Sequence, residues 1–284
     1  MKALLVEGVF HWGFSVRIIT ESAGAQYYPL PPPSTLIGAL AYGVNALLAH
    51  PECEAQKRKN LYSGARRLRR AVKWAAFALS DELSVGGKAA AIGYSDFIRS
   101  FRLIYQRGVR HQLEQKRMWY GISAHGKVYA CGAGFKVLYL IDERGLEELG
   151  VSEDVLVRSA LSIVRIGARE GLVSIFRARL TDSVKPVNAP TVTEYYFPSR
   201  LAEIGNPEEV MSIMLPVMSD RLWEFRPRKP LGLSDHEEYY TPGMGYILRP
   251  GRIEVVRLNK GALALKACLR EREEVVVVPD EVMR

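Results

Sequence analysis

Apolar residues in this chain come in runs more often than in one steady period. Residues 3–10, Ala-Leu-Leu-Val-Glu-Gly-Val-Phe, are nearly all apolar and predict a buried first strand. His11-Trp12-Gly13-Phe14, with Arg17, continues it as an aromatic and basic segment. Residues 36–48 are apolar nearly all round, the pattern of a buried helix. Leu61, Ala65, Leu68, Val72, Ala76 and Leu79 recur at spacings of three and four, which predicts a second helix over 55–80 with one apolar stripe. Strand patterns follow at 127–130 and 134–142, with His125-Gly126 read as a turn. Ser152 is placed to cap a helix running to about Ile163, 165–171 reads as a loop, and 172–180 alternates as a strand.

The stretch Tyr27-Tyr28-Pro29-Leu30-Pro31-Pro32-Pro33-Ser34-Thr35 leads into the first helix. Proline fixes φ, so Pro29 to Pro33 are expected to run extended, with Ser34 or Thr35 as the helix cap. The helix start then offers free N–H groups and a positive dipole end, a natural phosphate site. Gly38 and Gly43 each cost the helix about 1 kcal/mol against alanine, and their expected use is close approach to a sheet or a ligand backbone.

Strand, helices, strands, helix, strand is the order of an α+β, ferredoxin-like βαββαβ domain, here over residues 1–182. Residues 84–125 interrupt it as an insertion of extended hairpins, with glycines breaking the strand signals. From about Lys185 prolines punctuate short strand-like runs, including 253–256, 262–269 and 275–278, so 183–284 reads as a β-rich C-terminal domain.

Charge sharpens this picture. The 284 residues carry a net charge of +8, but residues 57–117 hold fifteen Lys and Arg against four acids. That segment is +11 and the rest sums to −3, so the basic charge is local. Tyr94, Phe97, Phe101, Tyr105, Trp119 and Tyr120 are interleaved with it. Guanidinium groups bind phosphate and aromatic faces stack on unpaired bases, a combination suited to single-stranded nucleic acid. Basic residues 57–73 taken alone read equally as a solvated helix face.

Three widely spaced cysteines form no CxxC pair and argue against a structural zinc site and a disulfide framework. No signal peptide and no apolar run long enough for a bilayer is found, so the chain is expected to be cytoplasmic, with no membrane partner. Neither HExxH, GxSxG nor a Walker motif occurs, and Asp235-His236-Glu237-Glu238 reads as a solvated polar turn; no metal, cofactor or catalytic residue is expected. A metal-independent ribonuclease would need only a base, an acid and a cation, which His11, Tyr27, Tyr42 or His111 with a lysine can supply, and spacing singles out none.

Taken together, Gly8-Val9-Phe10-His11-Trp12, the segment Tyr-Pro-Leu-Pro-Pro-Pro-Ser-Thr-Leu-Ile-Gly over 28–38, and Arg165-Ile166-Gly167-Ala168-Arg169-Glu170 resemble CRISPR-associated family five of the repeat-associated mysterious protein superfamily. The resemblance covers roughly residues 1–180, and Tyr94-Ser95-Asp96 with Tyr105-Gln106-Arg107 is most similar to the archaeal type I-A branch. It implies an RNA-recognition-like (RRM-like) ferredoxin fold with a thumb-like insertion. It implies a noncatalytic Cascade subunit that binds the 5′ handle of the guide RNA and docks on the backbone subunit, with the large subunit and target DNA near the seed end as further partners. Carried onto this sequence, His11, Trp12, Arg17, Tyr27, Ser34, Thr35, Gly38, Arg165, Gly167 and Arg169 would face the RNA, and Arg99, Arg102, Arg107, Arg110 and Arg117 would sit on the insertion. One branch of the family is instead a metal-independent endoribonuclease with a tyrosine late in the first helix and a Lys-His pair. Here Val44 stands about where that tyrosine is expected, and no Lys-His dipeptide occurs. A repeat-processing nuclease and a scaffold held mainly by protein contacts remain the alternatives.

Overall fold

The computed structural model describes residues 1–18, 26–56, 60–101, 120–168, 170–224 and 232–283. The chain is a mixed, sheet-rich α/β protein. Its first part runs β1 (Lys2–Phe10), β2 (Gly13–Phe14), α1 (Pro33–Leu47), β3 (Cys53–Gln56), β4 (Asn60–Ser63), α2 (Ala65–Leu68), β5 (Val72–Ser80), β6 (Ala91–Phe101), β7 (Tyr120–Tyr129), β8 (Gly134–Ile141), α3 (Glu143–Glu148), α4 (Glu153–Leu161) and β9 (Val173–Thr181). Ten strands follow: β10 (Val184–Val187), β11 (Thr191–Thr193), β12 (Phe197–Pro198), β13 (Ala202–Ile204), β14 (Val210–Pro216), β15 (His236–Met244), β16 (Ile247–Leu248), β17 (Ile253–Leu258), β18 (Ala262–Cys268) and β19 (Glu273–Pro279).

The first sheet has the order β5-β8-β1-β9, every neighbour antiparallel. All of β8 and all but Lys2 of β1 are buried, which is why both read as nearly continuous apolar runs, broken only by Glu7 and Lys136: each face has a cover. α1 packs on α4 and β5, and α4 on β9, so the helices cover one face. Alternation along β8 turns Tyr139 to that face, where its hydroxyl donates to Leu36 O at 3.0 Å. Three residues away, Lys136 points to the opposite face and meets the C-terminal strands. Its Nζ lies 3.0 Å from Glu274 Oε2 and 2.5 Å from Glu194 Oε2. Glu7, directly opposite Lys136 in register, pairs with Arg272, which also reaches Glu274 Oε1 at 3.1 Å. Glu7, Lys136 and Glu274 are all buried. One buried core takes in residues from both 1–182 and 183–284, and a smaller one gathers Phe197, Leu201, Ala202, Ile253, Val255, Ala264 and Val277.

Two sequence expectations fail. In place of a helix over 55–80 the chain forms β3, β4, the single turn α2, and β5. β5 is buried at every position but Lys73 and pairs with β8 along its length. A run buried on both faces matches a helical spacing simply because it is apolar throughout, and pairing with β8 decides the outcome. His125-Gly126 is no turn either. Both residues lie within β7, opposite Asp96 and Ser95, in the hairpin that β6 and β7 form from Ile92↔Tyr129 to Phe101↔Tyr120. That hairpin joins β15 and β16 on one side and β2 on the other.

The helix front differs in detail. α1 starts at Pro33 with Pro32 as its cap (φ −60°, ψ 155°), so Pro33 is helical, and Ser34 and Thr35 lie inside the first turn without capping it. Proline suits this position because its φ is preset and no N–H is wanted there. Ser152 does cap α4, accepting from Val155 N–H at 3.3 Å. Hydroxyls fasten the proline loop: Tyr196 donates to Pro31 O at 2.9 Å, and Tyr28 Oη lies 2.8 Å from His236 Nε2. Burial pushes the Tyr139 and Tyr196 hydroxyls up from the ordinary phenol range, so both remain protonated donors.

Gly43 serves a helix, not the sheet or ligand expected of it. A Cβ there would lie 2.8 Å from Ser159 O on α4, whereas at Gly38 it would meet nothing within 4 Å. Gly43→Ala is therefore expected to cost about 1–3 kcal/mol through overpacking. Gly38→Ala is expected to gain up to about 1 kcal/mol from helix propensity. Thermal unfolding of the two variants should move in opposite directions. Lys136→Met removes the ammonium shared by Glu194 and Glu274, leaving Glu274 only Arg272, and chemical denaturation should show a loss of about 3–5 kcal/mol.

Candidate nucleic-acid interface

Three segments far apart in sequence meet at the front of the helical layer. Thr35, Gly38, Ala39 and Tyr42 fall at i, i+3, i+4 and i+7 of α1 and form one flank of the helix. Facing them are Ile163, Val164, Arg165 and Gly167, and the cleft between has a volume of about 240 Å³. Gly38 leaves its floor open. The Arg165 guanidinium carbon lies 5.6 Å from the centre of the Tyr42 ring, within cation–π range, and both side chains are exposed.

The loop carrying Arg165 is held by its own backbone. Ile166 N–H donates to Gly171 O at 2.8 Å, Gly171 N–H to Ala168 O at 2.9 Å, and Ala168 N–H to Ser15 O at 2.8 Å. Gly167 adopts φ +83°, and a Cβ there would come within 2.7 Å of Ser15 O, so this corner needs glycine. His11 and Trp12 abut the same loop. His11 N–H donates to Leu172 O at 3.1 Å, its ring Nε2 lies 2.8 Å from Ser174 Oγ, and the Trp12 indole N–H donates to Glu170 O. Arg17 is exposed and forms a β-bridge with Tyr27. Tyr27 lies against Gly93 of β6, and burial raises its phenol pKa.

The helix front offers fewer free N–H groups than expected. Pro32 and Pro33 have none, and Thr35 and Leu36 both donate to Pro32 O, at 2.9 and 3.2 Å. The opening is along the flank of α1, lined by Thr35 and Gly38 but not by Ser34. Arg99 lies in β6 opposite Ile122. Arg102, Arg107, Arg110, Arg117 and Arg169 fall outside the described residues. Ala39, Ile163 and Val164 line the cleft without having been counted as site residues, and Tyr42, singled out by the sequence only as a possible ribonuclease group, lines it too.

Much of the basic charge in 57–73 is internally matched. Arg66 pairs with Asp220 at 3.1 Å, Arg67 with Glu54, and Arg69 donates to Val72 O at 3.2 Å. Burial lowers the Arg69 pKa. Asp235-His236-Glu237-Glu238 is matched too, as the entry to β15 and not a solvated turn. Asp235 meets Arg221 at 2.8 Å, Glu237 meets Arg200 at 2.9 Å, and Glu238 accepts from Ser199 Oγ at 2.8 Å. Among the described residues no three His, Cys, Asp or Glu side chains gather as a metal set, and no helix is long and apolar enough to cross a membrane.

No family model matches the chain. It is 27% identical over 265 residues to CRISPR-associated protein Cas5 2 of Saccharolobus solfataricus, covering 91% of this chain and 89% of that protein. It is 30% identical over 208 residues to the CRISPR system aCascade subunit Cas5 1 of the same organism, covering 70% of this chain and 72% of that protein. The crystal structure of a CRISPR protein from Archaeoglobus fulgidus shares the fold, with a TM-score of 0.55 at 16% identity over 98% of this chain and 100% of that one. Near full-length similarity to one relative and 30% identity across most of another place this chain in the CRISPR-associated Cas5 family.

Proposed function

We propose that this chain is a noncatalytic subunit of an archaeal type I-A surveillance complex (Cascade) that holds the 5′ handle of the guide RNA and docks on the backbone subunit. The observation that carries this reading is the cleft along α1: an open glycine floor, and an exposed arginine set over an exposed ring. Such a site can take a phosphate on the guanidinium and a base or ribose against Tyr42. The order β5-β8-β1-β9, with α1 between β1 and β5 and α4 between β8 and β9, supports the ferredoxin-like assignment. The β6–β7 hairpin is then the base of the thumb-like insertion. Arg102, Arg107, Arg110 and Arg117, which lie outside the described residues, would meet the guide and the backbone subunit. Cytoplasmic location, and contacts to the large subunit and to target DNA near the seed end, follow from this assembly role. A noncatalytic role is supported by Val44, buried about where the nuclease branch carries its tyrosine, and by a sequence without a Lys-His pair.

Arg165→Glu is expected to weaken binding of single-stranded repeat RNA at least tenfold near 0.1 M salt, without a change in Tm. Wild-type binding should fall steeply as salt rises. Equal affinity of variant and wild type, read by fluorescence anisotropy, removes the cleft from the reading. Repeat RNA incubated with the protein in EDTA should stay intact, and one discrete product would make the chain a nuclease.

A further inference from the structure

β6, β7, β15 and β16 present an exposed face beyond the cleft. Met244 opposes Ile247, Ile247 opposes Ile92, Ile92 opposes Tyr129, and Tyr94 opposes Lys127. Strand alternation puts all six on one side of the sheet. The rings are well exposed, Tyr94 by 48% and Tyr129 by 41%. Tyr94 and Tyr129 touch with centroids 5.7 Å apart, and Trp12 meets Tyr129 edge-on at 5.9 Å. Lys127 Nζ stands 5.9 Å from the Trp12 ring centre. Tyr27 packs against Gly93, and so from the other side of the strand.

We propose that Tyr94 and Tyr129, with Trp12 and Lys127, form a stacking platform for unpaired bases of the same single-stranded RNA that enters the α1 cleft. The proposal rests on the RNA-binding reading above and adds a second contact surface to it. Continuity argues for RNA as the occupant. The Trp12 indole is bonded to Glu170 in the loop that carries Arg165, so a strand leaving the cleft along that loop meets Trp12 and then the two tyrosines. Chemistry argues the same way. Adjoining π faces accept any base, and the ammonium of Lys127 beside them suits the phosphate between two bases. No base-specific hydrogen bond is needed, so the platform holds the strand without selecting its sequence.

The test uses the full chain and a ten-nucleotide single-stranded RNA carrying 2-aminopurine at one position at a time. Anisotropy reports affinity, and 2-aminopurine quenching reports stacking on a ring. Wild type should quench the probe at one or two adjacent positions. Tyr94→Ser and Tyr129→Ser should each weaken binding roughly tenfold and abolish quenching at one position. Tyr94→Phe and Tyr129→Phe keep the ring and should stay within about threefold of wild type, which separates loss of stacking from a general structural defect. Full quenching and full affinity in the serine variants overturn the platform. So does a serine variant that binds RNA normally but no longer co-purifies with partner chains, which would make this face a protein-docking surface. The reading on which the platform rests fails separately. If Arg165→Glu weakens RNA and the serine variants do not, only the platform falls; if wild type binds no RNA, both fall.

Discussion

Two carboxylates and an ammonium, buried together, fix how the helix-covered sheet meets the C-terminal strands. Lys136 on β8 and Glu7 on β1 stand opposite each other on the face away from the helices, and Arg272 and Glu274 meet them from the C-terminal side. Burying charge is costly unless every partner is in place, so this seam tolerates one arrangement where an oily one would tolerate several. A one-residue slip of β19 against β18 would turn Glu274 to the opposite face and strand Lys136. The proline loop and the front of α1 inherit that precision, because Tyr196, which holds Pro31, follows Glu194 in the same segment.

How much of the fold was legible depended on how many faces each segment buries. α1 and α4 announce themselves by all-round apolarity and by a serine cap, and β1 and β8 by apolar runs broken by a single charge each. β5 does not, because Val72, Ala76 and Leu79 fit a helical spacing as well as a buried strand, and only the presence of β8 beside them decides. β7 is half legible: its end at 127–130 reads as a strand, while His125-Gly126 reads as a turn. Those polar residues are held by cross-strand hydrogen bonds, which leave no mark on a hydropathy pattern.

The candidate site was legible as parts and illegible as a place. His11, Trp12, Thr35, Gly38, Arg165 and Gly167 were all marked by residue type and motif, and four backbone or side-chain hydrogen bonds tie residues 11–15 to the loop and the start of β9. No local pattern could show that Tyr42 lies under Arg165, or that Tyr129 stands beside Trp12, since the pairing of β2 with β7 joins residues more than a hundred positions apart. The same blindness made 57–73 look freely basic. The acid that matches Arg66 is Asp220, and nothing near Arg66 in the chain points to it.

Glu7 meets Arg177 of β9 at 3.5 Å and, from the C-terminal side, Arg272, which leaves the ribosome 265 residues later. Through nearly all of synthesis the first strand therefore carries a carboxylate on a face it cannot yet bury. Pairings this distant in sequence close slowly, since chain entropy must be surrendered before any contact returns it. Tyr196 can lock the proline loop only when the seam has shut, so a shortened or stalled copy carries α1 without its finished cleft.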